Sequence, residues 1–348
     1  MRHRAATCAL GLLAAFQTFG AGAEQAQSVE QFYRGNTINI VIGTGANFGA
    51  TEQYSRALAQ VIPAYIPGNP RMIVRNMPGA AGVVAANYLS TIAPQDGTYW
   101  GFITRGFVMA PLIGIEQAKF DPVKFQWIGS TAREVSVGIL WTAGTPARTL
   151  ADTIKQEVIV GATSLSNDTG FFPAMLNRLV GTKFRVVSGY KTTGDIELAM
   201  EKGELQGKIG GTWAALNAGT TAEWLKEGKI AVFVQLGVEK SPRIPGDVPV
   251  ALDLTKNDDD RQVMRLVSSP ATLGYPSFMG PGVPAERVAA MRHAFDQAVK
   301  DPRFIEVMKN QGLPIDPLPG ADVQKIIADI YAAPPAAVAR ARKLMAGQ

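Results

Sequence analysis

The chain has 348 residues, 34 Lys and Arg against 29 Asp and Glu, a formal net charge of +5, two histidines and one cysteine. So modest a basic excess, spread without a Lys/Arg cluster, argues against nucleic acid as a partner and mildly favours an anionic small solute. One thiol and two imidazoles exclude a disulfide framework and leave almost nothing for a zinc site or a histidine-based triad.

Residues 1–23 read as a signal peptide. Arg2 and Arg4 form a basic head, residues 5–19 are mostly apolar, and Ala21-Gly22-Ala23 supplies a small-x-small cleavage site. The apolar run falls short of the roughly 20 residues that span a bilayer. Cys8 lies inside the run, not after it, which argues against a lipid anchor. Cleavage would remove the only cysteine, lower the net charge to +3 and leave His293 as the only histidine. The remaining chain, about 325 residues, must then be stabilised by its core alone, which suits two α/β domains outside the cytoplasm.

The first half reads as repeated strand, loop and helix. Ile38, Ile40 and Ile42 form a strand, "GTGANFGATE" is a glycine-rich turn, and Tyr54, Ala57, Leu58 and Val61 give one apolar helical face. A second unit runs from Met72-Ile73-Val74 through "RNMPGAAG" into a helix over 83–92, and residues 99–103 form a third strand. This alternation predicts a mostly parallel sheet, with ligands at the carboxyl ends of its strands. A second set begins near Val135: a strand at 137–141, a strand at 158–160 leading into "GATSLSNDTG", a helix over 171–180, "FRVVS" entering "GYKTTGD", "GKIGG" entering "TWAAL", and a strand at 230–236. A turn-rich segment with Pro242, Pro245 and Pro249 follows, and the C-terminal part is largely helical. After residue 265 there is too little strand content for a further sheet, so that segment is expected to dock onto an existing layer. The outline is two α/β lobes with a cleft between them.

The first loop invites a dinucleotide reading, but Gly43, Gly45 and Gly49 are spaced one residue too long and the second strand ends in Arg75-Asn76 in place of a ribose-binding acid. No Gly-Lys-Ser/Thr follows for a P-loop, and no cofactor is expected. The loop can still offer an anion the unpaired N–H groups of a helix start, through Phe48, Gly49, Ala50 and Thr51. It serves equally as a plain strand-to-helix turn with Thr51 as its N-cap. Ala80, Ala81 and Gly82 repeat the device at the next strand, and Arg105 beyond the third strand is either a cationic contact or a solvated arginine. The facing lobe offers Ser164, Ser166, Asn167 and Thr169, then Tyr190 and Thr193, then Trp213, which fits a pocket or a core equally well. There is no G-x-S-x-G elbow and no clustered histidine, so the chain is not expected to be an enzyme.

In these loops the sequence resembles the substrate-binding proteins of tripartite tricarboxylate transporters, the Bug family. "ANFGATE" matches the family's P-x-G-G-G-x-D in position, "NMPGAAG" its N-x-P-G-A-G-G, and "APQDG" its A-P-x-D-G. "GYKTTGDIELAMEKGELQGKIGG", "PGVPAERVAAMRHAFDQAVKDPRF" and "GLPIDPLPG" resemble its later signatures, so the likeness covers roughly residues 34 to 330. It implies a two-lobed periplasmic binding protein of the type II kind, with lobe 1 at 34–134, lobe 2 at 135–265 and a return of 266–348 to lobe 1. It also implies a monomer in the periplasm that closes on a small carboxylate and delivers it to a permease of one large and one small membrane subunit. Glu52 replaces the family's aspartate, Ala81 stands where glycine is common, and Phe48 makes an aromatic or longer-chain carboxylate plausible beside a di- or tricarboxylate. The alternatives from the residues alone are an exported α/β hydrolase or isomerase, or a ligand sensor for a membrane receptor.

Overall fold

A computed structural model describes residues 27–46, 49–164, 167–217 and 219–345. The segment expected to be a signal peptide, Phe48 and Ser166 lie outside the described residues.

Among the described residues, eleven strands form two sheets. They are β1 (Thr37–Ile42), β2 (Arg71–Asn76), β3 (Tyr99–Phe102), β4 (Gln126–Ser130), β5 (Ser136–Trp141), β6 (Val158–Ala162), β7 (Phe184–Ser188), β8 (Gly207–Thr212), β9 (Ile230–Leu236), β10 (Pro276–Met279) and β11 (Leu318–Pro319). The first sheet has the order β11-β4-β10-β3-β1-β2 and the second β7-β6-β8-β5-β9. In the first, β1 pairs in parallel with β2 and β3, while β10 runs antiparallel between β3 and β4. In the second, β6 pairs in parallel with β7 and β8, while β5 runs antiparallel between β8 and β9. Apart from the short β11, the two sheets share one plan, with a single reversed strand inserted beside the parallel set. The strand in that place is β10 in one sheet and β5 in the other, and each is the first strand after the chain crosses between sheets. The chain crosses twice, at 131–135 and at 237–275.

Burial explains the strands. Ile38, Asn39, Ile40, Val41 and Ile42 are all buried, a continuous buried run and not an alternation, because helices cover both faces of a parallel sheet. Tyr54, Ala57, Leu58 and Val61 of helix Gly49–Val61 pack into the same core. The antiparallel strands are harder to read in advance. β4 holds a glycine, Gly129, against the Phe295 ring, and β10 opens on a proline. Residue 265, the expected boundary of lobe 2, falls within the continuous helix Asp258–Thr272, which packs on helices Asp168–Leu179, Gly320–Tyr331 and Pro335–Met345. Its aspartates at the start and its buried face of Val263, Met264, Leu266 and Val267 make it one helix spanning that point.

The crossings are tightly joined. Arg133 pairs with Asp316, and Ser130 Oγ donates to the Leu273 carbonyl at 2.6 Å while accepting from the Tyr275 N–H at 3.1 Å. Gly274, with φ +56°, lies so close to the Ala132 carbonyl that no Cβ fits. No helix among the described residues is long and apolar enough to cross a membrane.

Candidate functional site

The loop after β1 is braced from below. Glu52 is buried and accepts from Arg56 Nε at 2.9 Å and Nη2 at 2.6 Å. Arg56 Nη2 also donates to Asn76 Oδ1 at 3.2 Å, and Asn76 Nδ2 donates to the Thr44 carbonyl at 3.0 Å. Glu52 thus ties the first loop to the end of β2 through Arg56 and Asn76. Gly49, at φ +68°, opens the helix and is exposed, so close backbone approach is available there. Thr51 is the third residue of that helix and is buried, so it is not the N-cap. Ala50 is half-buried against the core.

The loop after β2 has an unusual backbone. Gly79, Ala80, Ala81 and Gly82 have φ of +146°, +44°, +52° and +96°, so two alanines sit in the left-handed region. Such residues cost roughly 1–2 kcal/mol each and gather at ligand clamps. Both alanines are exposed, and the Gly82 N–H closes the turn onto the Gly79 carbonyl at 2.9 Å. Gly43 and Gly82 bring the first two loops together: a Cβ on Gly43 would lie 3.3 Å from Gly82 Cα and 2.9 Å from Ile103. A side chain at Gly43 would crowd Gly82 and Ile103, and one at Gly82 would overlap Ile103.

Arg105 opens the short turn Arg105–Met109 after β3. Phe107 anchors that turn, stacked on Phe278 at 5.3 Å and tilted against Trp127 at 6.1 Å. The guanidinium is therefore carried on a rigid base, and its side chain is only 15% exposed. Its Nη2 donates to Ser136 Oγ at 3.2 Å and lies 3.5 Å from Asp168 Oδ2. Ser136 begins β5 and Asp168 begins helix Asp168–Leu179, so one arginine of the first sheet's loops reaches two elements of the second.

The facing loops divide into braces and surface. The Thr169 hydroxyl accepts from the Thr163 N–H at 3.0 Å and donates to Asn167 Oδ1 at 2.8 Å, while Asn167 Nδ2 donates to Thr163 Oγ1. Thr169 is buried by this arrangement, which folds the loop back on itself, whereas Asn167 is exposed. Ser164 is half-buried in the same loop. Tyr190 is half-buried and packs against the second lobe's core. Thr193 is exposed at the first helical position; the cap is Thr192, in a reciprocal box with Asp195. Trp213 is buried with Val135, Leu216, Trp224 and Ile244, in the core.

Sequence reasoning passed over four residues near these loops: Glu134, Ser136, Asp168 and Tyr275. Glu134 lies in the first crossing with its side chain fully buried, 3.8 Å from Arg243 Nη1, and accepts from the Ala214 N–H at 3.5 Å. Burial pushes its carboxyl up, against the opposing pull of Arg243, Arg105 and the N–H groups of Ala214 and Val135. Tyr275, at the end of the second crossing, packs on the Tyr54 ring at 4.6 Å and faces the Thr212 hydroxyl; burial pushes its phenol up. Only Asp168 carried a local signal, as an acid at a helix start.

Two surface hollows lie elsewhere. One of about 330 Å³ sits between helices Asp258–Thr272 and Gly320–Tyr331, lined by Gln262, Arg265 and Asp329 among others. The other, about 440 Å³, lies beside Arg148, Val232 and Pro249. Neither includes the strand-end loops, and neither gathers the donors that those loops present. Among the described residues no group of three or more His, Cys, Asp or Glu gathers as metal ligands, and His293 is exposed on helix Ala285–Ala298.

No protein-family model and no curated protein matches the sequence. Solved structures do match in three dimensions. A TctC solute-binding protein from Polaromonas superimposes with a TM-score of 0.66 at 16% identity, over 91% of this chain and 100% of that one. This chain has the two-lobed α/β periplasmic-binding-protein fold. MatC from Rhodopseudomonas palustris with bound malate matches with a TM-score of 0.59 at 17% identity, over 89% of this chain and 99% of that one. A second R. palustris protein, with adipate, matches with a TM-score of 0.56 at 17% identity, over 89% and 97%. At such identities the likeness is one of fold, and the function must be argued from the site.

Proposed function

We propose that this chain is an exported solute-binding protein that captures a small carboxylate in the periplasm and hands it to a tripartite tricarboxylate-type permease of one large and one small membrane subunit. The observation that carries the reading is the meeting of strand-end loops from both sheets at Arg105, beside the exposed left-handed turn of Ala80 and Ala81. That arrangement offers a carboxylate one cation and main-chain N–H groups from two neighbouring loops. Malate and adipate in two structures of similar fold support a carboxylate as the ligand class. Lobes of 34–134 with the C-terminal segment, and of 135 to the second crossing, would close about the crossings at 131–135 and 237–275, the closed form being selected by contacts that the solute makes to both lobes.

Native mass spectrometry of protein taken directly from its source tests the reading, since closed binding proteins retain their solutes. Added mass that denaturation releases as a carboxylic acid, with thermal stabilisation when that acid is returned, is the expected result. A screen of mono-, di- and tricarboxylates that leaves the melting temperature unmoved, while another class of solute raises it, would overturn the reading. N-terminal sequencing of the exported form tests cleavage near residue 23.

A further inference from the structure

This inference rests on the carboxylate-binding reading and concerns which carboxylate. Arg105 does not stand open in the loops. Its Nη2 is bonded to Ser136 and lies 3.5 Å from an Asp168 oxygen, longer than the roughly 2.7–2.9 Å of a well-formed charge-assisted bond. Asp168 itself is 53% exposed and sits at a helix start, where the helix dipole and its unpaired N–H groups already favour its charge. Gly210, at φ +97°, lets β8 pass close beneath it, since a Cβ there would lie 2.9 Å from the Asp168 carbonyl carbon. Asp168 is therefore held in place independently of Arg105. Among the described residues the contacts of Arg105 use Nη2 alone, although a guanidinium has five N–H donors in a fork that matches a carboxylate.

We propose that Asp168 is a built-in competitor for Arg105, displaced by the incoming carboxylate, and that it sets the preference of the site for singly charged acids over diacids. A ligand carboxylate takes the Arg105 fork, and Asp168 turns to water while its charge keeps the favourable field of the helix start. The displaced charge of Asp168 remains nearby, because its backbone is fixed at the helix start. A second carboxylate on the ligand therefore lies in the field of the displaced Asp168. Asp168 is thus a positioning residue, acting on the ligand through Arg105.

The test is calorimetry on the whole exported protein with saturated mono- and dicarboxylates of matched chain length, hexanoate against adipate and the shorter and longer homologues. Wild type is compared with Asp168→Asn, Arg105→Gln and the double variant. Asp168→Asn should bind about two- to five-fold more tightly, the worth of a partly exposed ion pair. The gain should be about twofold larger for each diacid than for its monoacid, as one like charge at several ångströms in water dictates. Both gains should vanish in the Arg105→Gln background. Asp168→Ser repeats the measurement without the amide, in case that variant folds poorly. Unchanged or weaker binding in a folded Asp168 variant, or an equal gain for mono- and diacids, overturns this inference and leaves the solute-binding reading intact. Failure of every acid to bind the wild type overturns that reading, and this inference with it.

Discussion

Ala81 and Gly82 are neighbours with opposite predicted responses to exchange. Ala81 has φ +52° and ψ +33°, and is exposed. Holding an L residue there costs roughly 1–2 kcal/mol, which glycine does not bear. Glycine gives back about 0.5–1 kcal/mol through the greater freedom of its unfolded chain. Ala81→Gly should therefore stabilise the protein by roughly 0.5–1 kcal/mol, little apolar contact being lost. Gly82 has φ +96°, is buried, and a Cβ there would overlap Ile103 Cγ2. Gly82→Ala adds the backbone penalty to about 1–3 kcal/mol of overpacking, for a loss of about 2–5 kcal/mol. Urea unfolding followed by tryptophan fluorescence measures both, as shifts of the midpoint at constant m. A destabilised Ala81→Gly, or a neutral Gly82→Ala, would refute the left-handed turn and with it the exposed amides that the site depends on.

Three further outcomes follow from the same geometry. Arg105→Gln should weaken carboxylate binding by roughly 10- to 100-fold, the worth of a charge-assisted hydrogen bond, and titration calorimetry with the native ligand reads it directly. Glu134 is held protonated to higher pH in the folded protein than in the unfolded chain, because burial outweighs the pull of Arg243 and Arg105 that face it, with Tyr275 beside them. The folded state then binds more protons than the unfolded one, so this group's contribution is greatest below the ordinary carboxylate range and is lost as pH rises through it. Melting temperatures of Glu134→Gln relative to wild type should move in favour of the variant from about pH 4 to about pH 8; a difference that stays flat or moves the other way contradicts the assigned shift. Gly274→Ala, at φ +56° against the Ala132 carbonyl, should cost about 3 kcal/mol or more, and a variant that melts with wild type would mean that the two crossings are not packed as described.

The strand and helix pattern was largely legible in the chain itself, because its periods are local. Ile38, Ile40 and Ile42 mark a buried strand, and Tyr54, Ala57, Leu58 and Val61 a helix face, whatever surrounds them. The glycine-bearing loops could be placed at strand ends for the same reason, and Arg105 beyond the third strand was visible by position. β4 and β10 were not, since a short segment with a glycine or a leading proline becomes a strand only when neighbours are there to pair with it. Nor could composition separate ligand-facing residues from braces. Thr169 reads as a free hydroxyl, yet it folds its own loop, and Trp213 belongs to a core.

What tertiary structure alone decided is the electrostatic setting of the site. Ser136 and Asp168 lie 31 and 63 residues from Arg105 along the chain, and no periodicity links them. They meet because the two crossings bring the loop after β3 against β5 and the start of helix Asp168–Leu179. Glu134 looks in sequence like any solvated acid between Arg133 and Val135. Its altered proton affinity arises from the walls around it, since desolvation and through-space charge depend on distance and burial and not on sequence order. The residue types and their local order thus set the elements and the donors at their ends, while the charge that those donors present to a solute exists only in the folded chain.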